Sequence, residues 1–365
     1  MAAIPVARAG LLRRYWPPLA LIAGVGLLVC LGSAVGSDEV QVTMTEMLIR
    51  MVVVVGMYLF IGNSGILSFG HVGFMCIGAY AAAWATVDPT WKQLMLADLP
   101  AILQEHQYPF LPAVLGGGVL AALVALVLGA AIMRLSGIAG SIATFSFLAI
   151  VNSVYSNWES VTAGTSSIVG VPTVVGPWIA FAFAAAAILL TYMFQVSGVG
   201  LLLRASRDDE VAARSSGTNI LKVRLIAFVA SAAILGVGGG LYGHFLGILT
   251  TDTFYLSLTF ITLAMLVVGG IGSLTGAVVG VFLVTVCVEI LRRLEGGVSV
   301  GAAMLRLPQG SEEIGLGVAM ALILIFRPAG LTLSREVPWP RRRAVEVPRR
   351  TADSVPLPAD ETTRL

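Results

Sequence analysis

The stretch MVVVVGMYLFIGNSGILSFGHVGFMCIGAYAAAWATV, residues 51–87, runs for 37 residues without an Asp, Glu, Lys or Arg, and His71 is its one basic side chain. A helix rises about 1.5 Å per residue, so about 20 apolar residues cross a hydrocarbon core roughly 30 Å thick. The stretch is far too long for one crossing and fits two, broken at Asn63-Ser64-Gly65 and again at Ser68-Phe69-Gly70. Two consecutive helices in lipid set the fold class: an all-α, polytopic membrane helix bundle with broken or short helices. In a bilayer the backbone of a spanning segment must satisfy its own hydrogen bonds, and a helix does so.

Reading outward gives eight more crossings. Pro17 to Gly36 forms the first, behind Arg8, Arg13 and Arg14. Ala34-Val35-Gly36 resembles a small-residue cleavage site, so a signal peptide is the rival reading; the length of the run and the further spans favour an uncleaved helix. Tyr108–Met133, Ser136–Tyr155, Pro177–Val196 and Leu225–Thr250 follow as spans four to seven. Phe254 to Glu289 is again too long and divides at Gly269-Gly270-Ile271-Gly272-Ser273 into spans eight and nine. Ile314 to Phe326 is a shorter tenth run, extended by Pro308 to Glu313 or entering only part way.

Composition agrees. Only 12% of the chain is charged, against about 25% in soluble domains. Cys30, Cys76 and Cys287 fall in apolar runs without metal-ligand spacing and read as helix-packing residues. Ten crossings put both termini on one side. That side collects seventeen of the Lys and Arg residues and the other only four: Lys92, Arg292, Arg293 and Arg306. The bias orients both ends to the cytoplasm. The domain reading is a cytoplasmic segment 1–14, a membrane domain 15–331 and a disordered Arg- and Pro-rich cytoplasmic tail 332–365.

The loop 198–224, between spans six and seven, is the most informative soluble segment. Ser206 and Asp209 have capping-box spacing, and Asp208, Asp209 and Glu210 place negative charge at the positive end of a helix. Glu210 precedes Arg214 by four residues, the favoured order for a helical ion pair, and Gly217 suits a left-handed stop. This spacing predicts a short capped helix of about ten residues, which by itself reads more readily as a solvated connector than as a functional element.

Glu210-Val211-Ala212-Ala213 with Gly217, followed by Leu221 to Phe228, resembles the coupling loop of ABC importer permeases. More closely, the chain is similar to the branched-chain amino acid ABC transporter permease family, in its LivM-type branch. Leu67 to Tyr80 resembles that family's signature after the second span, Val268 to Gly276 its glycine-rich turn, and Phe326 to Leu331 its exit from the last helix. The four stretches keep the family's order between about residues 45 and 331. The loop Asn157 to Pro172 follows the family outline but has Thr165-Ser166-Ser167 where an Asn-Gly-type pair is common.

The resemblance implies a non-catalytic transport subunit with no cofactor of its own. It implies a second permease subunit as heterodimer partner, two cytoplasmic ATPase subunits that bind the ATP, and a periplasmic or lipid-anchored solute-binding protein. Membrane lipids, and not nucleic acid, complete its surroundings. Asp209, Glu210, Ala212, Ala213, Arg214 and Gly217 would couple to an ATPase. The solutes would be branched-chain amino acids or related amino acids, urea or amides.

The residues set limits of their own. The only lysines are Lys92 and Lys222, neither in a GxxxxGK[ST] string, so the chain is not its own ATPase by that route. A secondary transporter or channel is the alternative, but Glu46 and Glu289 lie near span ends rather than at the midplane where coupled carriers hold acids. Glu46 with Arg50, and Glu289 with Arg292 and Arg293, read as neutralising pairs. Broken helices mark substrate sites, which makes Asn63, Ser64, Ser68, His71 and Ser273 path candidates. Packing or backbone hydrogen bonding is the plainer reading of His71 and His244. Gly269, Gly270, Gly272 and Gly276 read as a structural turn, and Gly236/Gly240 and Gly239/Gly243 as close helix contacts. Gly238 to Gly243 matches a dinucleotide fingerprint only as a string, with no βαβ unit around it.

Overall fold

A computed structural model describes residues 15–337 except 136, 301–302, 306–307, 309, 328–329 and 334. The expectations for segment 1–14, for Arg306 and for the tail beyond 337 fall outside the described residues.

The chain runs back and forth between two ends of one bundle. Helix α1 (Trp16–Val35) opens with Pro17 and Pro18 in its first turn, where no intrahelical N–H is lost. Helix α2 (Asp38–Ser64) is capped by Ser37, and from Met47 to its end it is buried throughout. It breaks at Gly65, and α3 (His71–Thr86) returns as a short, deeply buried helix, so the break read from residues 63–70 is where the chain turns. Two short helices, α4 (Pro89–Met95) and α5 (Ala101–Glu105), lead to α6 (Phe110–Ile132) and α7 (Ile138–Asn157). A single turn, α8 (Glu159–Thr162), precedes α9 (Pro177–Gln195). Next come α10 (Gly198–Asp208), α11 (Glu210–Ser215) and α12 (Ile220–Leu246). The bundle closes with α13 (Leu256–Gly269), α14 (Leu274–Gly296) and α15 (Ser311–Phe326). Residues 168–169 pair with 248–249, and 298–300 with 303–305, as two small antiparallel ribbons.

Among the described residues, eight helices are long and apolar enough to cross a membrane. The other two of the ten expected crossings, α3 and α15, have 16 residues each. Helix α3 need not reach lipid on either side, because α6, α7 and α12 pack around it and nearly all of it is buried. Those contacts are made backbone to backbone. A Cβ on Gly78 would strike the Gly236 carbonyl, and one on Gly239 the carbonyl of Met75, so α3 and α12 meet at a distance only glycine permits. A Cβ on Gly269 would likewise strike the Gly276 carbonyl, which makes the α13–α14 turn tight.

The two ends differ in charge. At the basic end, Arg204 donates to the Gln195 carbonyl at 2.7 Å and Arg207 to the Gly62 carbonyl at 2.6 Å. Each arginine thus sits on the carbonyl-rich terminus of a long helix, α9 or α2. At the opposite end, Arg292 and Arg293 in the last turns of α14 are matched by acids. Arg292 lies 3.8 Å from Glu46, which also pairs with Arg50 at 2.6 Å, while Arg293 bonds Glu289 at 2.8 Å and approaches Glu39 at 3.8 Å. Two of the four cations that run against the charge bias, Arg292 and Arg293, are thus matched by acids within the fold.

Lys92 is also at that opposite end, and it is buried. Its ammonium donates to the carbonyls of Trp84, Leu103 and His106 at 3.1, 2.5 and 2.7 Å, tying the α3–α6 connection into one knot. Burial pushes its pKa down and the nearby Asp88 opposes that.

Several boundaries differ from expectation; α14 runs past Glu289 to Gly296 and α12 stops at Leu246, short of Thr250. Helix α12 starts at Ile220 rather than Leu225, because the Asn219 side chain accepts the Lys222 N–H at 3.1 Å and caps it. Ordered chain also continues past 332: Thr332 and Glu336 bond back onto the α13–α14 turn and the start of α14.

Candidate functional site

The segment between α9 and α12 is built as a stub projecting from the basic end. Helix α10 is capped by Ser197, whose hydroxyl accepts the Gly200 N–H at 3.2 Å, and it buries Leu203 against the bundle. Asp209 then leaves helical geometry, with φ −151° and ψ 107°. One of its carboxylate oxygens accepts the N–H groups of Val211 and Ala212, both at 2.9 Å, and so starts α11. The expected capping box is therefore displaced. Ser206 is buried inside α10 and donates to the Leu203 carbonyl at 2.7 Å, and two helices meet at Asp209 in place of one helix of about ten residues.

The other end of α11 is closed by a paired C-cap. The Gly217 N–H bonds the Arg214 carbonyl and the Thr218 N–H the Ala213 carbonyl, at 3.0 and 3.1 Å, with Gly217 at φ +82°. That pattern needs a left-handed residue at the turn, which glycine adopts without a side-chain penalty. Glu210 forks between two arginines, Arg214 at 2.9 Å and Arg224 on α12 at 2.8 Å. The hydrogen bond from Arg224 and the charges of both arginines hold its carboxyl below the ordinary value, against a partial burial that raises it. Ala213 faces the protein, whereas Ala212, Val211 and Arg214 face outward.

The family model for the branched-chain amino acid transport system permease component matches residues 41–326. The chain belongs to that permease family. It is 27% identical over 349 residues to the high-affinity branched-chain amino acid transport system permease protein LivM of Escherichia coli (strain K12), covering 86% of this chain and 74% of that one. The LivM of Salmonella typhimurium (strain LT2) is 27% identical over 332 residues, 81% of this chain and 70% of its own. A probable LivH permease of Methanocaldococcus jannaschii is 30% identical over 94 residues, 25% of this chain and 29% of its own. No solved structure matches.

The permease buries all five path candidates. Asn63 donates to the Leu59 carbonyl at 2.9 Å, and the Ser64 hydroxyl accepts the Ile66 N–H at 3.2 Å, so both finish the end of α2. Ser68 and His71 bond each other at 2.6 Å, with the imidazole packed among Phe60, Phe74 and Phe228. Ser273 caps α14 by accepting the Gly276 N–H at 3.0 Å. Gly269, Gly270, Gly272 and Gly276 lie in or beside the turn that Thr332 closes by donating to the Gly269 carbonyl at 2.9 Å. His244 bonds the Gly240 carbonyl at 2.7 Å and the Thr86 hydroxyl at 2.9 Å, a packing role.

A different polar surface went unread in the sequence. Helix α7 is largely uncovered, and its exposed side interleaves Ser146, Ser153 and Asn157 with the apolar Ile150 and Val154, with Asn152 at its edge. The Asn152 amide nitrogen is buried without a hydrogen-bond partner among the described residues. Inward of Ser146 the same side is apolar, with Phe145, Ile142 and Ile138 exposed. The exposed side of α6, by contrast, carries Leu111, Leu115, Val119, Leu123 and Val127. A helical wheel marks the serines of α7 only once its buried side is known. Elsewhere, a groove of about 480 Å³ lies between α1, α2 and α14, bordered by Met44, Phe282 and Glu289, away from both surfaces.

Proposed function

We propose that this permease is a transmembrane subunit of an ATP-driven importer for branched-chain amino acids or related small polar solutes, with α11 as the handle moved by a separate ATPase. The carrying observation is the build of α11. A six-residue helix closed at both ends by side-chain and backbone caps projects beyond the bundle and presents Val211, Ala212 and Arg214 outward. A rigid lever of this kind transmits displacement, and an uncapped loop does not.

In this reading the basic end faces the cytoplasm, as the Lys/Arg bias favours, and both termini lie there. ATP belongs to the partner subunits, a solute-binding protein delivers from the opposite side, and a second permease subunit completes the path. The partial likeness to both LivM and LivH relatives supports a pair of related permeases. The serine-bearing side of α7 is the path wall, since polar groups facing lipid are costly and those facing water are not.

A secondary carrier has less support. Among the described residues, the carboxylates of the long helices lie toward their ends, and Glu46 and Glu289 are already held by arginines. The test is uptake into vesicles containing the assembled complex. Gly217→Asp abolishes ATP-driven uptake while the protein still inserts; uptake at the normal rate in that variant, or solute flux through the purified chain alone, refutes the importer reading.

A further inference from the structure

We propose that Glu210 acts inside its own chain, as a strut through Arg224 that fixes α11 to α12, and that contact with the partner ATPase falls to Val211 and Arg214. The proposal rests on the importer reading above and assigns its moving parts.

Exposure separates the two roles. The Val211 residue is 76% exposed and the Arg214 side chain 71%, whereas the Glu210 side chain is 35% and that of Arg224 only 7%. Glu210 turns toward the bundle to meet a buried guanidinium, and the ion pair is 2.8 Å long. A buried guanidinium requires its carboxylate, because an unpaired charge there loses its hydration without compensation. Glu210 therefore has a fixed internal partner and is poorly placed to leave it for another protein.

The connections of α11 are unequal. On the α10 side the two helices are separated by Asp209 alone, whose extended backbone interrupts the helical ladder. On the α12 side, four residues carry the Gly217 cap, the Asn219 cap of α12 and, across them, the Glu210–Arg224 pair. A push on Val211 and Arg214 is thus delivered to α12, whose glycines lie against α3 and α6 in the centre of the bundle.

A double-mutant cycle on the assembled complex tests the strut. Glu210→Gln and Arg224→Gln each lower ATP-driven uptake by about tenfold, within the usual range of coupling between sites. The double variant loses no more than the worse single, because both remove one interaction. The ATPase stays bound in all three, and Val211→Asp releases it. Losses that multiply, or an ATPase released by Glu210→Gln, overturn the proposal.

A second measurement does not depend on transport. Spin labels at Ser215 and Lys222 give a narrow distance distribution in the parent protein, and Glu210→Gln broadens it. An unchanged distribution overturns the strut even if uptake falls. A parent complex that binds no ATPase while the labels behave as expected sinks the importer reading and leaves the strut standing.

Discussion

The Glu336 carboxylate sits on the first peptide of α14, accepting the Leu274 N–H at 2.8 Å. The same group accepts the Thr275 N–H at 3.1 Å and its hydroxyl at 2.7 Å, and Gln195 at the end of α9 donates to it at 3.3 Å. A helix begins with N–H groups that lack intrahelical partners. Here Ser273 takes one and Glu336 two, so residues beyond the last helix finish a helix that starts 62 residues earlier. Glu336→Ala leaves both donors bare and lowers stability by about 1–2 kcal/mol. Thermal unfolding in detergent registers the loss. Deletion from Glu336 onward matches it, whereas deletion from residue 338 does not; a Glu336→Ala variant that melts like the parent makes the cap idle.

That cap also marks where reading the sequence stops. Helix breaks at 63–70 and 269–273 are legible because an uncharged run of fixed length holds only so many crossings. The Glu210–Arg214 pair and the Gly217 stop are legible because their spacing is local. Glu336 on Leu274, Arg292 beside Glu46 and the carbonyl cage of Lys92 depend on which helices become neighbours, and no periodicity records that. The path candidates show the same limit. Ser64, Ser68 and Ser273 stand at helix breaks, but a break needs polar groups of its own: Ser64 and Ser273 take backbone N–H groups there, and Ser68 holds the buried His71 ring.

The hold of α11 on α12 has an acid limit with a definite sign. Glu210 titrates below its ordinary value of 4.5, chiefly through the hydrogen bond from Arg224. A carboxylate with a lowered folded-state value contributes fully above its unfolded value, and the contribution is lost as pH falls through the folded one. A spin label at Ser215 therefore keeps constant mobility from neutral pH down to about 4.5 and loosens only in stronger acid. Glu210→Gln is loose throughout. Loosening centred near neutrality would contradict the ion pair as the tie.

Glycine contacts in the core tolerate less than glycines toward lipid. A Cβ at Gly239 would overlap the Met75 carbonyl oxygen and lie 3.0 Å from the Ala79 nitrogen, and neither atom can turn aside as a side chain would. Gly239→Ala therefore costs about 3 kcal/mol, the upper part of the usual overpacking range. Gly24 on α1 has nothing within 4 Å of its missing Cβ. Gly24→Ala is neutral or stabilising by up to about 1 kcal/mol through helix propensity. Melting temperatures and yields in detergent compare the two directly, and equal effects would show that α3 and α12 are free to separate.

Thiol accessibility decides between the two polar surfaces. In a background lacking Cys30, Cys76 and Cys287, single cysteines replace Ser153 on α7, Ser68 and Ser273 at the helix breaks, and Leu123 on the apolar side of α6. Reaction with a charged, membrane-impermeant reagent requires water, because the thiolate is the nucleophile and it does not form in hydrocarbon. Ser153→Cys reacts, and transported solute slows the reaction by occupying the same space. Ser68→Cys and Ser273→Cys stay inert, since both positions are fully buried, and Leu123→Cys stays inert because its surroundings are lipid. Equal inertness of Ser153→Cys and Leu123→Cys in the assembled, transporting complex would place α7 against protein or lipid and remove it from the path.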